Sequence, residues 1–106
     1  MSAMIDVDSM QEAAAEACQL MKALANPDRL MLLCQLSQAE MSVGELEAAL
    51  GIRQPTLSQQ LTVLRDEALV DTRREGKYVY YSVRSGTALA VLKVLYQQFC
   101  AKEKKR

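Results

Sequence analysis

The sequence predicts a mainly helical fold with a small β-hairpin, the winged helix-turn-helix, in the order α-α-α-α-β-β-α. Apolar residues recur at helical spacing up to residue 68, the sequence pattern changes to a period of two between residues 70 and 83, and helical spacing returns after residue 85. Half of the 106 residues are apolar, with no Trp and one Phe, so small aliphatic side chains must fill the core. Such a chain forms one domain with a modest core, and a dimer interface is expected to add burial.

A loose arm at residues 1–8 is predicted to precede the first helix. A capping box of Ser9 and Glu12 starts this helix, which ends near Ala25. Its apolar stripe consists of Met10, Ala13, Ala17, Leu20, Met21 and Leu24. The whole chain is therefore interpreted as a single domain with a short arm at its start.

The next two helices also begin at recognisable capping residues. Asn26 and Pro27 fit the N-cap and first position of a second helix, which is expected to be deeply buried. Its predicted inward face consists of Leu30, Leu33, Cys34 and Ser37. Ser42 and Glu45 form a second capping box after a short link that could form a brief edge strand, and Gly51 fits the left-handed residue that ends a short third helix.

The fourth helix is predicted to begin at Pro55 and to end near Ala68. Its inward stripe consists of Leu57, Leu61 and Leu64. Between residues 70 and 83 the alternation around Gly76 predicts a β-hairpin. Ser85 then caps a last helix. The apolar side of that helix consists of Leu89, Leu92, Leu95, Tyr96 and Phe99.

Charge is distributed unevenly, although the formal net charge is zero. Acidic residues dominate residues 1–52, whereas basic residues dominate residues 53–84 and the basic tail at residues 102–106. This polarity suits a basic face that meets phosphate, and ordinary solvated surfaces are the alternative explanation. The sequence shows no signal peptide or membrane span, and three cysteines do not make a secreted disulfide scaffold. A cytoplasmic protein is expected.

The outer face of the fourth helix carries uncharged hydrogen-bonding side chains. They are Gln54, Thr56, Ser58, Gln59, Gln60 and Thr62. Glutamine can pair with an adenine edge, and serine or threonine can contact bases or phosphates. The hairpin adds Arg73, Arg74 and Lys77 around Gly76, which suits a wing that reaches the DNA backbone or minor groove. Together these features predict a surface for double-stranded DNA, with a solvated polar helix beside a basic hairpin as the alternative.

Several segments resemble the ArsR-type winged-helix repressors. These segments are Leu24-Ala25-Asn26-Pro27-Asp28-Arg29-Leu30, Ser42-Val43-Gly44-Glu45-Leu46, Leu57-Ser58-Gln59-Gln60-Leu61, Leu64-Arg65-Asp66-Glu67 and Tyr78-Val79-Tyr80-Tyr81-Ser82. The resemblance runs from about Cys18 to Cys100 and implies a homodimer joined through its first and last helices. It also implies an inverted-repeat promoter operator and an inducer that releases the DNA. Gln60, Pro55 and Ala68 stand where the family commonly has His, Ser and Gly, which affects the expected base preference rather than the fold.

Other function classes have weaker support in the sequence. There is no histidine and no glycine-rich phosphate loop, so an enzyme is not expected. The histidine and paired-thiol ligands of the family's usual metal sites are also missing, so neither a metal nor a cofactor is predicted. An orphan or metal-responsive repressor, or a winged-helix module that binds protein instead of DNA, remains the alternative.

Cys34 and Cys100 match in place and separation the cysteine pair of the sulfide- and persulfide-responsive branch of this family, the BigR-, SqrR- and HlyU-like regulators. The resemblance implies that both thiols meet between the second and last helices. Reactive sulfur species or oxidants would then bridge them as a disulfide or a longer sulfur chain. Lys93 and Lys104 are expected near Cys100, where cations favour the reactive thiolate. Cys18 is interpreted as a packing residue of the first helix.

Overall fold

The computed structural model describes residues 4–100, which form five helices and a three-stranded antiparallel sheet. The helices and strands are α1 (Val7–Leu24), α2 (Pro27–Leu36), β1 (Met41–Ser42), α3 (Val43–Leu50), α4 (Thr56–Asp66), β2 (Val70–Glu75), β3 (Tyr78–Val83) and α5 (Gly86–Phe99). The predicted order is confirmed, and the short link before α3 is the edge strand β1, which pairs with β3. The basic tail at residues 102–106 lies outside the described residues.

Helix α1 begins at Val7, so it includes two residues that were expected in the arm. Its N-cap is Asp6 and not Ser9, because the Asp6 carboxylate accepts the Asp8 backbone N–H at 3.2 Å and the Ser9 hydroxyl at 2.8 Å. A carboxylate that accepts a free amide of the first turn is an effective N-cap. Ser9 therefore supports the cap from within the first turn.

The caps predicted for the next helices are confirmed. Asn26 and Ser85 each accept the backbone N–H three residues on, at 3.0 Å. Ser42 and Glu45 form the reciprocal capping box, with distances of 3.2 and 2.8 Å. Gly51 ends α3 with a φ angle of 72°, a left-handed conformation that glycine adopts without steric cost. These caps fix where α2, α3 and α5 begin.

Helix α4 starts one residue after the predicted position and ends before Ala68. Pro55 occupies the N-cap and makes no side-chain cap bond. Instead, the Gln54 side-chain carbonyl accepts the Ser58 backbone N–H at 3.1 Å, which satisfies a free amide of the first turn. Ala68 has a φ angle of 61°, and a right-handed helix cannot continue through that conformation. The chain therefore turns there into β2.

The core lies where α2, α3 and α4 pack against the sheet. Its fully buried large side chains are Leu32, Leu33, Leu46, Leu57, Leu61 and Leu64. The predicted inward stripe of α4 is confirmed, whereas the buried face of α2 is rotated from the predicted one. Leu30 and Cys34 are only half-buried and Ser37 is exposed. Apolar residues surround most of α2, so spacing alone could not select the buried face.

Helices α1 and α5 leave much of their apolar surface exposed. Helix α1 buries only Ala23 and Leu24, and Met21 is 58% exposed. On α5, Val94 is 54% and Phe99 is 72% exposed. The predicted apolar stripes of these two helices therefore lie largely outside the core of the single chain. No helix within residues 4–100 has the length and apolar character needed to cross a membrane.

Candidate nucleic-acid interface and thiol site

Helices α3 and α4, joined by residues 51–55, form the helix-turn-helix. Helix α2 packs against both of them, and Leu46 of α3 and Leu57 and Leu61 of α4 are buried in the shared core. In this motif the second helix presents its outer face to the major groove of DNA. The outer face of α4 is therefore the candidate recognition surface.

The predicted contact residues of α4 differ in exposure and in their partners. Four are exposed, and two are half-buried, namely Thr56 and Gln60. The Thr62 hydroxyl donates to the Ser58 backbone carbonyl at 2.8 Å, and Gln54 is occupied as a cap. The Gln59 amide and the Ser58 hydroxyl have no side-chain hydrogen bond to any described residue. These two groups are the most available to an external partner.

Gln60 has a structural partner that the sequence analysis missed. The Arg29 guanidinium donates to the Gln60 side-chain carbonyl at 2.8 Å. It also donates to the backbone carbonyls of Ala23, at 2.6 Å, and of Lys22, at 3.1 Å. Arg29 therefore joins the end of α1 to the recognition helix. The only sequence signal for this role was the place of Arg29 two residues after Pro27, in the first turn of α2.

The hairpin of β2 and β3 forms the wing, and it turns at Gly76, whose φ angle is 62°. Adjacent residues of a strand point to opposite faces of the sheet, so Arg73 and Arg74 lie on different faces of the wing. Arg74 and Lys77 are exposed and form no ion pair with the described residues. Two of the predicted wing cations are therefore free to contact phosphate.

Arg73 is held by groups of the protein itself. Its Nε and Nη2 lie 2.7 and 2.9 Å from the two carboxylate oxygens of Glu40, and its Nη1 lies 2.8 Å from Oε1 of Glu75. The guanidinium also lies 4.8 Å from the ring centroid of Tyr80. Hydrogen bonding to Arg73 lowers the pKa of Glu40, and hydrogen bonding to Glu40 and then Glu75 raises the pKa of Arg73.

The cysteines lie in different environments. Cys34 is half-buried in the last turn of α2, Cys100 is exposed at the C-cap of α5, and both are free thiols. Burial raises the pKa of the Cys34 thiol, and the negative charge of a neighbouring Cys100 thiolate raises it further. Cys18 is exposed on α1, so its expected packing is wrong for the single chain. Lys104 lies outside the described residues.

A groove between α2 and α5 opens beside Cys34. Leu89 and Leu92 form its apolar part, and Lys93 is the charged side chain in its lining. The Ser37 hydroxyl, also in the lining, donates to the Cys34 carbonyl at 2.6 Å. A small molecule could therefore approach the Cys34 thiol beside a cation. Within residues 4–100, no group of three His, Cys, Asp or Glu side chains is placed to hold a metal ion.

Comparison with known proteins agrees with this architecture. The family model "Bacterial regulatory protein, arsR family" matches residues 26–72. The Biofilm growth-associated repressor of Agrobacterium fabrum is 54% identical over 99 residues, which cover 93% of this chain and 85% of that protein. The transcriptional activator HlyU of Vibrio cholerae is 40% identical over 96 residues, covering 91% of this chain and 89% of HlyU.

A solved structure extends the likeness to three dimensions. The crystal structure of the transcriptional repressor BigR from Xylella fastidiosa superposes with a TM-score of 0.87 at 46% sequence identity. The match covers 92% of this chain and 99% of that chain. The relatives are regulators of transcription, and none of these proteins is named as an enzyme. The chain therefore belongs to the ArsR family of bacterial regulatory proteins, in its BigR- and HlyU-like branch, and is a transcriptional regulator.

Proposed function

We propose that this regulator is a homodimer that represses a promoter by binding an inverted-repeat operator, and that bridging of Cys34 and Cys100 releases the DNA. The observation that carries the proposal is that one small domain has both a candidate DNA-binding surface and a candidate thiol site. An uncharged hydrogen-bonding face of α4 lies beside a wing with free cations, and Cys34 lines a groove between α2 and α5, the helix that Cys100 caps.

In the proposed DNA surface, different residues recognise the bases and bind the phosphates. Gln59 and Ser58 lie on the outer face of α4, where glutamine can pair with an adenine edge in the major groove. Arg74 and Lys77 supply positive charge on the wing, where contacts with phosphate set affinity without reading bases. The side chains of Thr62, Gln54 and Gln60 complete the face but form hydrogen bonds within the protein, and Thr56 is half-buried.

The proposed dimer explains the apolar surface left by α1 and α5. Met21 of α1 and Val94 of α5 are more than half exposed, and both helices carry apolar stripes beyond the core. Contiguous apolar surface of this kind marks an interface with another protein. A second copy of the chain would bury it, and a two-fold dimer would place two recognition helices against the two halves of an inverted repeat.

The proposed switch is a two-step sulfur exchange. The Cys100 thiolate attacks the outer sulfur of a persulfide R–S–SH, the S–S bond breaks, and R–S⁻ leaves. Cys34 loses its proton to solvent, and its thiolate attacks the inner sulfur of the Cys100 persulfide, which expels HS⁻ and leaves a disulfide. The two cysteine sulfurs are oxidised and the transferred sulfur is reduced to sulfide. A polysulfide donor would leave Cys100 with a chain of two or more added sulfurs, and attack of the Cys34 thiolate on a sulfur beyond the inner one would expel HS⁻ and leave a longer bridge.

The order of the two steps follows from the environments of the thiols. Cys100 is exposed, whereas burial raises the pKa of Cys34, so the Cys34 thiol is largely protonated at neutral pH and is the poorer first nucleophile. The bridge would tie α2 to α5 and change the spacing of the two recognition helices. A coupling of about 1–3 kcal/mol would weaken DNA binding roughly 5- to 150-fold.

The test compares binding to the protein's own promoter with binding to random duplex DNA, before and after polysulfide treatment. Wild-type protein should prefer its promoter, lose affinity steeply as salt rises, and release the DNA on treatment. The C34S and C100S variants should bind DNA but stay bound after treatment, whereas the matched C18S variant should respond as wild type does. Release by C34S and C100S would refute the switch. Absence of promoter preference would favour a protein-interaction module.

A further inference from the structure

We propose that Arg73 and Glu40 form a clamp that positions the wing, so that Arg73 is a positioning residue and not a phosphate ligand. The inference rests on the proposed function only in that the wing meets DNA. It changes the role expected for Arg73, and it assigns a role to Glu40, which lies in the link between α2 and β1.

The contact itself has the geometry of a strong ion pair. Two nitrogens of the Arg73 guanidinium each meet one carboxylate oxygen of Glu40, at 2.7 and 2.9 Å. Paired, parallel bonds of this kind are stronger and more specific in direction than a single contact. A third nitrogen bonds Glu75 at 2.8 Å, and the Tyr80 ring lies beneath the guanidinium. Arg73 is therefore fixed from several directions.

The charge balance of this cluster opposes a phosphate. One guanidinium meets two carboxylates, those of Glu40 and Glu75, so the cluster carries a net charge of about −1 at neutral pH. Three of the five N–H donors of Arg73 bond these carboxylates, so a phosphate that approached Arg73 would meet two negative charges beside it. Arg74 and Lys77 have no such partners among the described residues.

The clamp spans the whole sheet. The strand order is β1-β3-β2, so β2 is an edge strand and is hydrogen-bonded only to β3. Arg73 on β2 lies opposite Tyr80 on β3, and its side chain crosses that ring to reach Glu40, the residue before β1. Strands are about 4.8 Å apart, so the contact joins backbone segments roughly 10 Å apart.

Few backbone contacts hold the wing to the rest of the domain. Strand β1 pairs with β3 at only two positions, Met41 with Tyr81 and Ser42 with Tyr80. The clamp adds a side-chain attachment from β2 to the segment that follows α2, the helix of Cys34. Buried Val70 and Tyr81 hold the base of the hairpin in the core, so without the clamp the part of the wing near Gly76 would move more freely, and Arg74 and Lys77 would meet the DNA less often.

The test measures operator affinity and its salt dependence for R73K, R73Q, E40Q and the double variant E40Q/R73Q. Lysine keeps the charge but cannot form the two-point contact, so R73K should weaken binding as R73Q does, by about two- to fivefold. E40Q should weaken binding to a similar degree, and the double variant should be no worse than either single variant. The slope of log affinity against log salt should stay that of the wild type.

The matched control is R74Q, which should reduce the salt slope by about one phosphate contact. The clamp is refuted if R73K binds as tightly as wild type while R73Q loses both affinity and slope, which is the pattern of a phosphate ligand. It is equally refuted if E40Q binds more tightly, because Glu40 would then merely repel DNA.

A second measurement needs no DNA and therefore separates this inference from the proposed function. Amide hydrogen exchange of the free protein should be faster in β2 and β3 for E40Q and R73K than for wild type, and unchanged for R74Q. Equal exchange in all four proteins would overturn the clamp even if DNA binding is confirmed. Faster exchange in E40Q and R73K would support it even if the chosen promoter is not bound.

Discussion

Within residues 4–100, two residues with a left-handed backbone conformation follow the ends of helices, and only one of them is glycine. Gly51 has a φ angle of 72° and Ala68 has one of 61°. An L-residue in this conformation costs roughly 1–2 kcal/mol, which is partly offset because alanine has fewer unfolded conformations than glycine. We expect A68G to raise the free energy of unfolding by about 0.5–1 kcal/mol in urea denaturation.

The reciprocal change is the control. G51A should lower the free energy of unfolding by about 1 kcal/mol. No atom lies within 4 Å of a Cβ built at Gly51, so the loss would come from backbone conformation alone. If both variants changed the free energy of unfolding in the same direction, the left-handed backbone conformation would not be what determines the stability of these turns.

The Cys34 thiol provides a prediction about pH. Because burial raises its pKa, less thiolate is present at a given pH, and alkylation by iodoacetamide requires the thiolate. The rate at Cys34 should rise with pH through a midpoint above the ordinary cysteine value, as measured by mass spectrometry of timed samples. In C100S the midpoint should move down, because the neighbouring negative charge is gone. A wild-type midpoint at or below that of the urea-unfolded chain would contradict the prediction.

At the scale of elements, two adjacent glutamines of α4 are expected to have different roles, Gln60 in stability and Gln59 in DNA recognition. Q60A leaves an Arg29 nitrogen without its partner and should lower the free energy of unfolding by about 1 kcal/mol. Q59A removes an exposed amide and should leave stability unchanged, but it should reduce the preference for the operator over variants with replaced A·T pairs. Urea denaturation and competition binding measure the two effects. Loss of stability in Q59A but not in Q60A would contradict the roles expected of these two residues.

The helix starts show which parts of the fold can be predicted from local sequence. The caps at Asn26, Ser42 and Ser85 were predictable because the side chain and the amide it accepts lie three residues apart. The start of α1 was misplaced because two residues three positions apart, Asp6 and Ser9, are both good caps and they bond each other. Local pattern therefore gave the order of the elements, and ambiguity remained where local signals competed.

The contacts that organise the candidate site lie beyond local pattern. Arg29 meets Gln60 across 31 positions of sequence, and Arg73 meets Glu40 across 33. Basic residues on a hairpin predict a wing equally well whether they face phosphate or a carboxylate of the same chain. Only the fold distinguishes these cases, and it separates Arg73 from its neighbour Arg74.

At the scale of the whole molecule, the dimer links stability to DNA binding. If α1 and α5 bury their apolar surfaces against a second copy, the melting temperature of the wild type should rise with protein concentration. V94E and M21E place a charge in that surface, which costs far more when it is buried than when it is exposed. Both variants should be monomeric in sedimentation experiments, with a melting temperature independent of concentration.

The same variants test whether the protein binds both halves of the operator at once. A monomer can engage only one half of an inverted repeat, so V94E should bind the full operator at least about tenfold more weakly than wild type, because the second half-site is no longer held close by the first. It should bind an isolated half-site as wild-type protein does. The comparison is M31E, since Met31 is similarly exposed, at 47%, but lies on α2 and not on α1 or α5. A monomeric M31E together with a dimeric V94E would place the interface on another face.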